Sequence, residues 1–464
     1  MNPLSVYHLL PPAGQNVAAS LRGFYLNSWR YGAETEELVH QILERDYWSS
    51  EKWKNFLEER RAFILYRAAT EVPFYKNYWE ERRRKGDPAS WEVLENWPIL
   101  EKDSVRENSE AFLAQGCHKY QMFEEHTSGT TGKPLRLWWS RKTVRMWYAL
   151  FEARWRRWHG VSRCERWGIL GGQMVAPFKA ARPPFWVWNA PMRQLYMSSY
   201  HLSPVFIPHY LEALKKYKVR YLYGYTAALH ALAYEILRLK RSDLKMEVVL
   251  TNAEPLGERE RRIIAEAFQC PVRETYGMTE IVAAAGECPA GRMHLWPEVG
   301  WIEVMNGNQK AQPGESGELV CTSLLNEDMP LIRYRLGDRG SLSQGASDEV
   351  CGCGRTLPLM GSIEGRSDDL LYTKDGRKIG RLDPVFKNGF PIREAQIIQE
   401  TIDRLRIRYV PADESRGYEE AIASELRKRM GDVGVSFERV ESIARTSNGK
   451  FRAVVSKISK PVTQ

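Results

Sequence analysis

The sequence predicts an α/β protein in which a large N-terminal domain, with parallel α/β sheets and a β subdomain, precedes a small α+β C-terminal domain. Two patterns carry most of this prediction. Strand-like and helical segments alternate over residues 219–277, and strand-like segments broken by Gly and Pro follow over 296–345. Alternation of strand and helix is typical of a parallel sheet, because a crossover helix must return the chain between parallel strands.

Each element follows from its hydrophobic spacing. Residues 34–86 are rich in charge and carry apolar residues at helical spacing, which indicates amphipathic helices. The apolar positions there include Leu38, Ile42, Phe56, Phe63, Ile64 and Ala68. Over 219–277 the predicted strands are VRYLYGY, MEVVLTNAEPL and PVRETYG, and the predicted helices are AALHALAYEILRLK and GERERRIIAEAFQC. The predicted β subdomain begins at about residue 296.

We expect a domain boundary near residue 366, which divides the chain into a domain 1–365 and a smaller domain 366–464. The polar turn EGRSDDLL covers 364–371. A strand–turn–strand, YTKDGRKI, and a helix in 417–430 follow it. A polar turn of this kind is typical of the boundary between two domains.

Composition excludes several classes of protein. The mean hydropathy is −0.48, and no apolar run approaches the ~18 residues that a membrane helix needs. No basic stretch precedes the short apolar run at the N-terminus, so we expect no secretory signal. Seven cysteines in 464 residues suggest no disulfide framework and favour a cytoplasmic protein. The net charge of +9 favours anionic ligands, but no motif for specific nucleic-acid recognition accompanies it.

The first motif with chemical meaning is HTSGTTGKPLRLWWS, at 126–140. Gly residues let the backbone approach an anion, and hydroxyls and an ammonium add donors for phosphate oxygens. The spacing is not that of a Walker loop, because Pro134 stands where Ser or Thr is required. The predicted phosphate-binding residues are Thr127, Ser128, Gly129, Thr130, Thr131, Gly132 and Lys133.

Four further motifs follow: TNAEPL at 251–256 with ETYGMTE at 274–280, PLIRYRLGDRG at 330–340, EGRSDD at 364–369 and RTSNGK at 445–450. Tyr276 offers a ring on which a base can stack, and Glu280 offers a carboxylate for Mg²⁺. Asp338 would accept the hydroxyls of a ribose, or it is an ordinary turn residue. Lys450 stands on a Gly-containing loop.

These motifs, in this order and spacing, resemble the adenylate-forming superfamily of acyl-CoA synthetases, peptide-synthetase adenylation domains and luciferases. The phenylacetate–CoA ligase-like branch is the most similar, and the resemblance covers residues 120–455. It implies an AMP-forming ligase that uses ATP and Mg²⁺ to convert a small carboxylic acid into an acyl-adenylate. It also implies that the C-terminal domain is mobile and swings between two half-reactions.

The resemblance also implies a role for each matching residue. Residues 127–133 would hold the pyrophosphate, Thr279 would contact the α-phosphate and Glu280 would bind Mg²⁺. Ala253, Glu254 and Pro255 would line the adenine site, Tyr276 would lie against the adenine ring, and Asp338 would hold the ribose. Arg366 would contact the nucleotide, Asp368 would be the hinge, and Lys450 would bridge the carboxylate and the α-phosphate.

The acid pocket is less defined by the sequence. Residues 196–230 and 276–285 would supply it, with Tyr223, Tyr225, Gly277 and Met278 as candidates. Residues 138–188 contain eight Trp residues, which form either the core or an aromatic wall of this pocket. Trp186 and Trp188, with the two tyrosines, favour an aromatic or cyclic acid.

Four residues suggest a structural metal site. Cys288 and His294 lie in ECPAGRMHL, and Cys351 and Cys353 lie in VCGCGRT. Together they would form a closed Cys₃His zinc site; the alternative is reduced, buried cysteines. Some phenylacetate–CoA ligase-like proteins bind zinc at similar positions, so the resemblance favours the metal.

One segment, which bears on the acceptor of the acyl group, departs from the family pattern. Phenylacetate–CoA ligase-like chains carry G-V-N-V-F-P after the hinge, but here the segment is LLYTKDGRKIGRLDPVFKNGF. The later PIREAQIIQ resembles a sub-branch associated with capsular polysaccharides and natural products. We therefore favour an amine or hydroxyl acceptor, with CoA as the alternative, in a monomer or homodimer. A non-catalytic nucleotide-binding descendant is disfavoured, because Lys450, Glu280 and the phosphate loop are all present.

Overall fold

The chain folds as the mixed α/β protein that the sequence predicts. A computed structural model describes residues 3–127, 135–177, 180–343, 351–366, 371–374, 378–379, 390–414, 417–445 and 451–458. The helices are α1 (Pro3–Leu9), α2 (Pro12–Arg30), α3 (Thr35–Arg45), α4 (Ser50–Glu71), α5 (Pro73–Arg84), α6 (Lys102–Glu107), α7 (Arg141–Leu150), α8 (Ile207–Lys216), α9 (Thr226–Arg238), α10 (Glu258–Phe268) and α11 (Glu419–Met430).

The strands form one large sheet and several smaller ones. In chain order they are β1 (Phe123–His126), β2 (Arg136–Trp139), β3 (Trp167–Gly171), β4 (Trp186–Asn189), β5 (Gln194–Ser198), β6 (Tyr221–Tyr225), β7 (Val249–Asn252), β8 (Val272–Gly277), β9 (Ala284–Glu287), β10 (Met293–Leu295), β11 (Gly300–Asn306), β12 (Gln309–Lys310), β13 (Gly317–Ser323), β14 (Tyr334–Leu342), β15 (Met360–Arg366), β16 (Leu371–Tyr372), β17 (Lys378–Ile379), β18 (Ile392–Thr401), β19 (Arg404–Pro411), β20 (Gly434–Arg439) and β21 (Val454–Ser456).

The large sheet has eight strands in the order β10-β9-β8-β7-β6-β3-β5-β4. Its five central strands, from β8 to β5, are parallel, and the strands at both ends are antiparallel. The alternation predicted over 219–277 is confirmed as β6, α9, β7, α10 and β8. Helices cover the parallel strands because these are nearly continuous apolar runs that must be buried on both faces.

Two further sheets complete the fold: the first is antiparallel, and in the second only β18 and β19 are antiparallel, while β20 and β21 pair parallel to them. The β subdomain is a five-stranded sheet in the order β12-β11-β13-β14-β15, in which Asp338 pairs with Arg366. The C-terminal part is a sheet in the order β20-β19-β18-β21, packed against α11 around its own apolar core. The helix predicted in 417–430 is therefore confirmed as α11, which begins at Glu419.

Helix α2 covers the free edge of β4. Asn16 Oδ1 accepts the Trp188 N–H at 2.8 Å, and Ser20 Oγ accepts the Ala190 N–H at 3.2 Å. Gly23 permits this approach, because a Cβ there would lie 1.9 Å from Asn189 Oδ1. Side chains of the helix thus take the place of a further strand at the sheet edge.

The helices predicted over 34–86 are confirmed as α3, α4 and α5, but α4 is not amphipathic, because it carries apolar residues on its exposed side as well, Phe63 and Tyr66 among them. Ile42, Ile64 and Ala68 are buried. Phe63 is 42% exposed, so its assignment to the buried face was wrong. Its ring instead lies beneath Arg60, whose Cζ is 5.1 Å from the ring centroid, and this arginine covers part of the apolar surface.

A buried ion cluster joins α3 to the rest of the large domain. The cluster is built on Arg154, which lies in the π-helical segment Phe151–Arg156 that continues α7. Arg154 donates to Asp46 Oδ1 at 2.9 Å and to both oxygens of Glu298, at 2.8 and 3.0 Å. Trp158 Nε1 donates to Asp46 Oδ2 at 2.7 Å. Burial raises the pKa of Asp46, and the Arg154 guanidinium opposes this shift.

Across the ranges given above, no helix combines the length and apolar character needed to cross a bilayer.

We expect Arg154→Met to lower the free energy of unfolding by about 3 kcal/mol, because it leaves two buried carboxylates without their cation. The matched control is Arg220→Met, which removes an arginine that is 52% exposed and also bridges two acids. That change should cost at most about 1 kcal/mol. Urea denaturation measures both values, and equal shifts of the two midpoints would contradict the importance of the buried cluster.

Candidate active site

A cavity of about 1180 Å³ opens at the carboxyl ends of the parallel strands. The last residues of β6, β7 and β8, which are Tyr225, Asn252 and Gly277, all line it. Ligands of doubly wound sheets bind in this position, because the strand ends and the loops that follow them leave a crevice there. The cavity has a polar end beside the β subdomain and an aromatic end beneath α2.

The polar end brings together the residues predicted to hold a nucleoside. Tyr276 donates its hydroxyl proton to Asp338 Oδ2 at 2.8 Å. Burial, and then the Asp338 carboxylate, hold the pKa of Tyr276 well above its ordinary value. Ala253 and Pro255 line the same region, and Ala253 has φ of 61°, which is uncommon for a residue with a side chain. Sequence motifs more than sixty residues apart therefore share one pocket.

Glu280 is held at the polar end by two donors. Lys102 Nζ lies 2.9 Å from Glu280 Oε1, and the Tyr334 hydroxyl lies 3.1 Å from the same oxygen. The Glu280 residue is only 6% exposed. Thr279 lines the cavity beside it, and Ile281, with φ of 48°, turns the chain back into the core. Neither Lys102 nor Tyr334 was predicted: Lys102 lies outside the motifs, and Tyr334 lies within PLIRYRLGDRG but was given no role.

Glu254 links three parts of the chain. Its Oε2 accepts the Ala227 N–H at the start of α9 at 2.8 Å, as expected for a carboxylate at a helix N-terminus. Its Oε1 accepts the Phe451 N–H at 2.7 Å. Phe451 and Arg452 both line the cavity. The C-terminal segment that follows the RTSNGK motif thus reaches the polar end of the cavity.

Several predicted residues lie outside the described part of the chain. These are Ser128, Gly129, Thr130, Thr131, Gly132, Lys133, Asp368 and Lys450. Thr127 is described: it is buried, and its Oγ1 accepts the Leu135 N–H at 3.2 Å. β1 and β2 pair so that His126 faces Arg136, which places both ends of the phosphate motif at the cavity. Arg366 ends β15, opposite Asp338.

Comparison with known proteins finds one matching family model and several sequence relatives. Residues 371–457 match the CapK C-terminal domain family. The sequence is 25% identical to Protein CapK of Staphylococcus aureus, over 98% of this chain and 99% of the relative. It is 26% identical to a phenylacetate-coenzyme A ligase of Pseudomonas putida, over 68% of this chain and 71% of the relative.

The fold has solved counterparts as well. The structure of 2-hydroxyisobutyryl-CoA ligase in complex with 2-HIB-AMP aligns with a TM-score of 0.67 at 18% identity, over 89% of this chain and 91% of that chain. These similarities support the assignment to the adenylate-forming ligases and, within them, to the phenylacetate–CoA ligase-like branch.

The aromatic end of the ligase cavity contains the weaker pocket candidates. Tyr223, Tyr225, Gly277 and Met278 line it. Burial raises the pKa of Tyr225 to about 12, so its phenol stays protonated at neutral pH. Four of the predicted tryptophans also line the cavity, namely Trp139, Trp147, Trp155 and Trp167. The Trp-rich segment is thus both core and cavity wall.

Of the two alternatives for the tryptophans, Trp186 and Trp188 follow the core: they pack against the apolar core around α8 and do not line the cavity. Their rings pack on α8 and the residue after it: Trp186 lies 5.5 Å from Tyr210, and Trp188 lies 5.0 Å from Tyr217, between ring centroids. They stand on the edge strand β4, where successive side chains alternate between the two faces of the sheet. Both of these rings point to the α8 face, and Val187 between them lines the cavity.

The N-terminal helices of the ligase supply cavity residues that the sequence did not reveal. Tyr7 of α1 and Arg22, Leu26 and Arg30 of α2 line the aromatic end. The Tyr7 hydroxyl donates to Val175 O at 3.1 Å, which ties α1 to the loop after β3. Helix α2 carries no acidic residue and no catalytic motif. Its role as part of the cavity wall is therefore visible only from where it packs.

The four predicted metal ligands of the ligase converge outside this cavity. The ligating atoms of Cys288, His294, Cys351 and Cys353 all lie within 4.8 Å of one another. The sulfur atoms of Cys288 and Cys351 are 3.7 Å apart, close to the separation of about 3.8 Å that a tetrahedral site with Zn–S bonds of about 2.3 Å requires. His294 Nδ1 lies 3.0 Å from Leu357 O, which leaves Nε2 facing Cys353 Sγ at 3.4 Å. The cluster fits zinc in both ligand type and spacing.

Proposed function

We propose that this ligase activates a small carboxylic acid with ATP and then transfers the acyl group to an amine or a hydroxyl. The observation that carries the first step is the shared cavity. Tyr276, Asp338, Thr279 and Glu280 lie at its polar end, and a wall of aromatic rings continues from them. A nucleotide at the polar end would present its α-phosphorus to an acid bound against the rings.

The nucleotide roles follow from the groups at the polar end. Asp338 would accept the ribose hydroxyls, and Ala253 to Pro255 with Tyr276 would surround the base. Thr279 would donate to the α-phosphate. Both contacts recorded for Glu280 fall on Oε1, so we propose that Oε2 binds Mg²⁺. The ion would neutralise charge on the phosphate oxygens.

The chemistry needs cations more than a general base. A carboxylate attacks the α-phosphorus, and negative charge develops on the phosphate oxygens and on the leaving pyrophosphate. We propose that Lys450 and the loop residues 127–133 meet this charge, and that Arg366 contacts the nucleotide near a hinge at Asp368. The contact between Phe451 N–H and Glu254 supports this placement, because Phe451 directly follows Lys450.

We expect Asp338→Ala to raise the KM for ATP by about tenfold to a hundredfold, because hydrogen bonds to a charged acceptor are worth about 1.5–3 kcal/mol. The KM for the acid should change little. Tyr276→Phe is the matched control, since it removes the partner hydroxyl but keeps the ring. Steady-state pyrophosphate release measures both, and an equal rise of the two KM values in Asp338→Ala would contradict the ribose role.

The acceptor proposal rests on the segment that follows the hinge. It lacks the G-V-N-V-F-P element of the phenylacetate–CoA ligase-like branch. The phenylacetate-coenzyme A ligase of Pseudomonas putida matches 68% of this chain, whereas residues 371–457 match the CapK C-terminal domain family, which supports a different second half-reaction. CoA remains the second candidate because the Pseudomonas putida relative is a phenylacetate-coenzyme A ligase.

The test is pyrophosphate release with Mg-ATP and a panel of aryl, fatty, hydroxy and amino acids. We expect a single turnover without CoA, accelerated by hydroxylamine, with a hydroxamate detected by mass spectrometry. Lys450→Ala should slow release by about a hundredfold or more, as the loss of one group that stabilises transition-state charge does. Lys457→Ala, which removes an exposed partner of Glu400, is the control. Turnover that requires CoA, with a thioester product, would decide for the second candidate.

We also propose that Cys288, His294, Cys351 and Cys353 bind a structural zinc ion. The closed ligand set leaves no open position for chemistry. The site would tie the hairpin of β9 and β10 to the segment before β15, next to the ion cluster around Arg154. Trp158 supports this link, because its ring lies 5.8 Å from the His294 ring and its Nε1 donates to Asp46.

We expect the purified ligase to contain one zinc ion per chain, measured by inductively coupled plasma mass spectrometry. Cys288→Ser should abolish the metal and lower the thermal unfolding temperature. Cys164→Ser is the control, because Cys164 is exposed and distant from the cluster in sequence. Retention of the metal in Cys288→Ser would show that the four residues are ordinary reduced side chains.

A further inference from the structure

Helix α2 places an arginine at the aromatic end of the cavity. Arg30, the last residue of the helix, lines the cavity, and its Cζ lies 4.3 Å from the centroid of the Tyr148 ring. Hydrogen bonds from Asn16 and Ser20 to β4 hold the helix in place. A side chain at the end of a helix fixed in this way has a defined position relative to the cavity wall.

The guanidinium of Arg30 lacks the partners that other half-buried arginines of this ligase have. Its Nε is buried and has no hydrogen-bond partner. No ion pair within 4 Å uses its guanidinium among the residues that the structure describes. Arg156, in the same cavity, also has a buried Nε without a partner, but its Nη1 donates to Glu152 at 3.1 Å and contacts the Tyr31 hydroxyl at 3.3 Å. A half-buried guanidinium without such partners favours an anionic ligand, because its donors lose water without gaining an acceptor.

The charged side chains that face Arg30 do not neutralise it. Glu125 lines the cavity nearby, and burial raises the pKa of its carboxyl while Arg30 opposes the shift. Arg22 and His126 face the same carboxylate. Arg156 is already compensated by Glu152. The aromatic end therefore carries an excess of positive charge.

A row of rings connects Arg30 with the polar end. Tyr148 lies 6.1 Å from Phe151, and Phe151 lies 4.5 Å from Trp155, between ring centroids. Trp155 in turn contacts Gly277, where a Cβ would lie 3.3 Å from the indole. Gly277 follows Tyr276, at the nucleotide end. A flat ligand lying along these three rings would have one end at the α-phosphate and the other at Arg30.

We propose that Arg30 binds a second carboxylate of the acid substrate. The substrate class is then an elongated dicarboxylic acid with a planar, aromatic body. One carboxylate is activated at the polar end, and the other pairs with Arg30 beneath α2. This inference rests on the proposed adenylation, and it adds the acid's distal group and the residue that selects it. Asn189 and Gln194, buried at the same end, contribute amides around that group.

The test uses stable mimics of the acyl-adenylate, so that binding is measured without turnover. Acyl sulfamoyl adenosines are made in pairs that differ only at the far end, which carries either a carboxylate or a methyl group. Benzoyl, cinnamoyl and biphenyl bodies vary the length. Isothermal titration calorimetry gives Kd for each compound with the full-length wild type, Arg30→Gln, Arg30→Lys and Arg141→Gln.

Arg141→Gln is the matched control. Arg141 also stacks on a ring beside α2, with its Cζ 4.4 Å from the centroid of the Trp29 ring, but it does not line the cavity. We expect the wild type and Arg141→Gln to bind the carboxylate member at least about tenfold more tightly at one body length, as a charge-assisted hydrogen bond implies. The ratio of the Kd of the methyl compound to the Kd of the carboxylate compound should fall to about one in Arg30→Gln. Arg30→Lys should restore part of the preference for the carboxylate.

The ratio of two Kd values within one variant does not depend on how much of that variant is folded. If the wild type binds the compounds without preferring the carboxylate at any length, the role of Arg30 is overturned and the adenylation proposal stands. The same conclusion follows if the preference survives in Arg30→Gln. If the wild type binds none of the mimics, the adenylation proposal fails and the inference fails with it.

Discussion

The buried Arg154 guanidinium is the contact on which the shape of the active-site cavity depends. It joins Asp46 at the end of α3 to Glu298 before β11. The same π-helical segment carries Phe151 and Trp155, whose rings form the cavity wall. The ion cluster thus fixes the backbone of the segment that carries the rings of the cavity wall. Trp158 donates to the other oxygen of Asp46, and its ring lies against His294 of the Cys–His cluster. The ion cluster, the cavity wall and the Cys–His cluster are therefore neighbours in the large domain.

The polar end is assembled in a different way, from strand ends and turns of separate sheets. Tyr276 comes from the large sheet and Asp338 from the β subdomain, and their hydrogen bond crosses between the two. Phe451 brings in the C-terminal part through Glu254. Such a site is complete only when all three parts are in place. Loss of the contact between Phe451 and Glu254 would therefore change the polar end without breaking the hydrogen bond between Tyr276 and Asp338.

Local patterns in the sequence were enough to predict the sheet from β6 to β8 and the β subdomain, whereas the nucleotide roles of Tyr276 and Asp338 came from the resemblance to a known family. Those features depend on strand–helix alternation and on motifs with fixed chemistry. The sequence did not predict α2 as a cavity wall, because its packing on β4 joins residues about 170 positions apart. Lys102 was missed for the same reason, since its contact with Glu280 joins residues 178 positions apart. The direction of Trp186 and Trp188 depended on the register of an edge strand, which the pattern of tryptophans does not specify.

The cover that α2 provides for β4 also affects how the chain is made. Asn16 and Trp188 are 172 residues apart, so the helix leaves the ribosome long before the strand edge it must cap. At a synthesis rate of about 5–20 residues per second, the delay is on the order of ten to thirty seconds. During that time the nascent helix carries Leu21 and Phe24, which remain 70% and 69% exposed even in the finished fold. Helix α2 can therefore dock on β4 only after most of the first 190 residues have been made, which places this contact late in the assembly of the sheet.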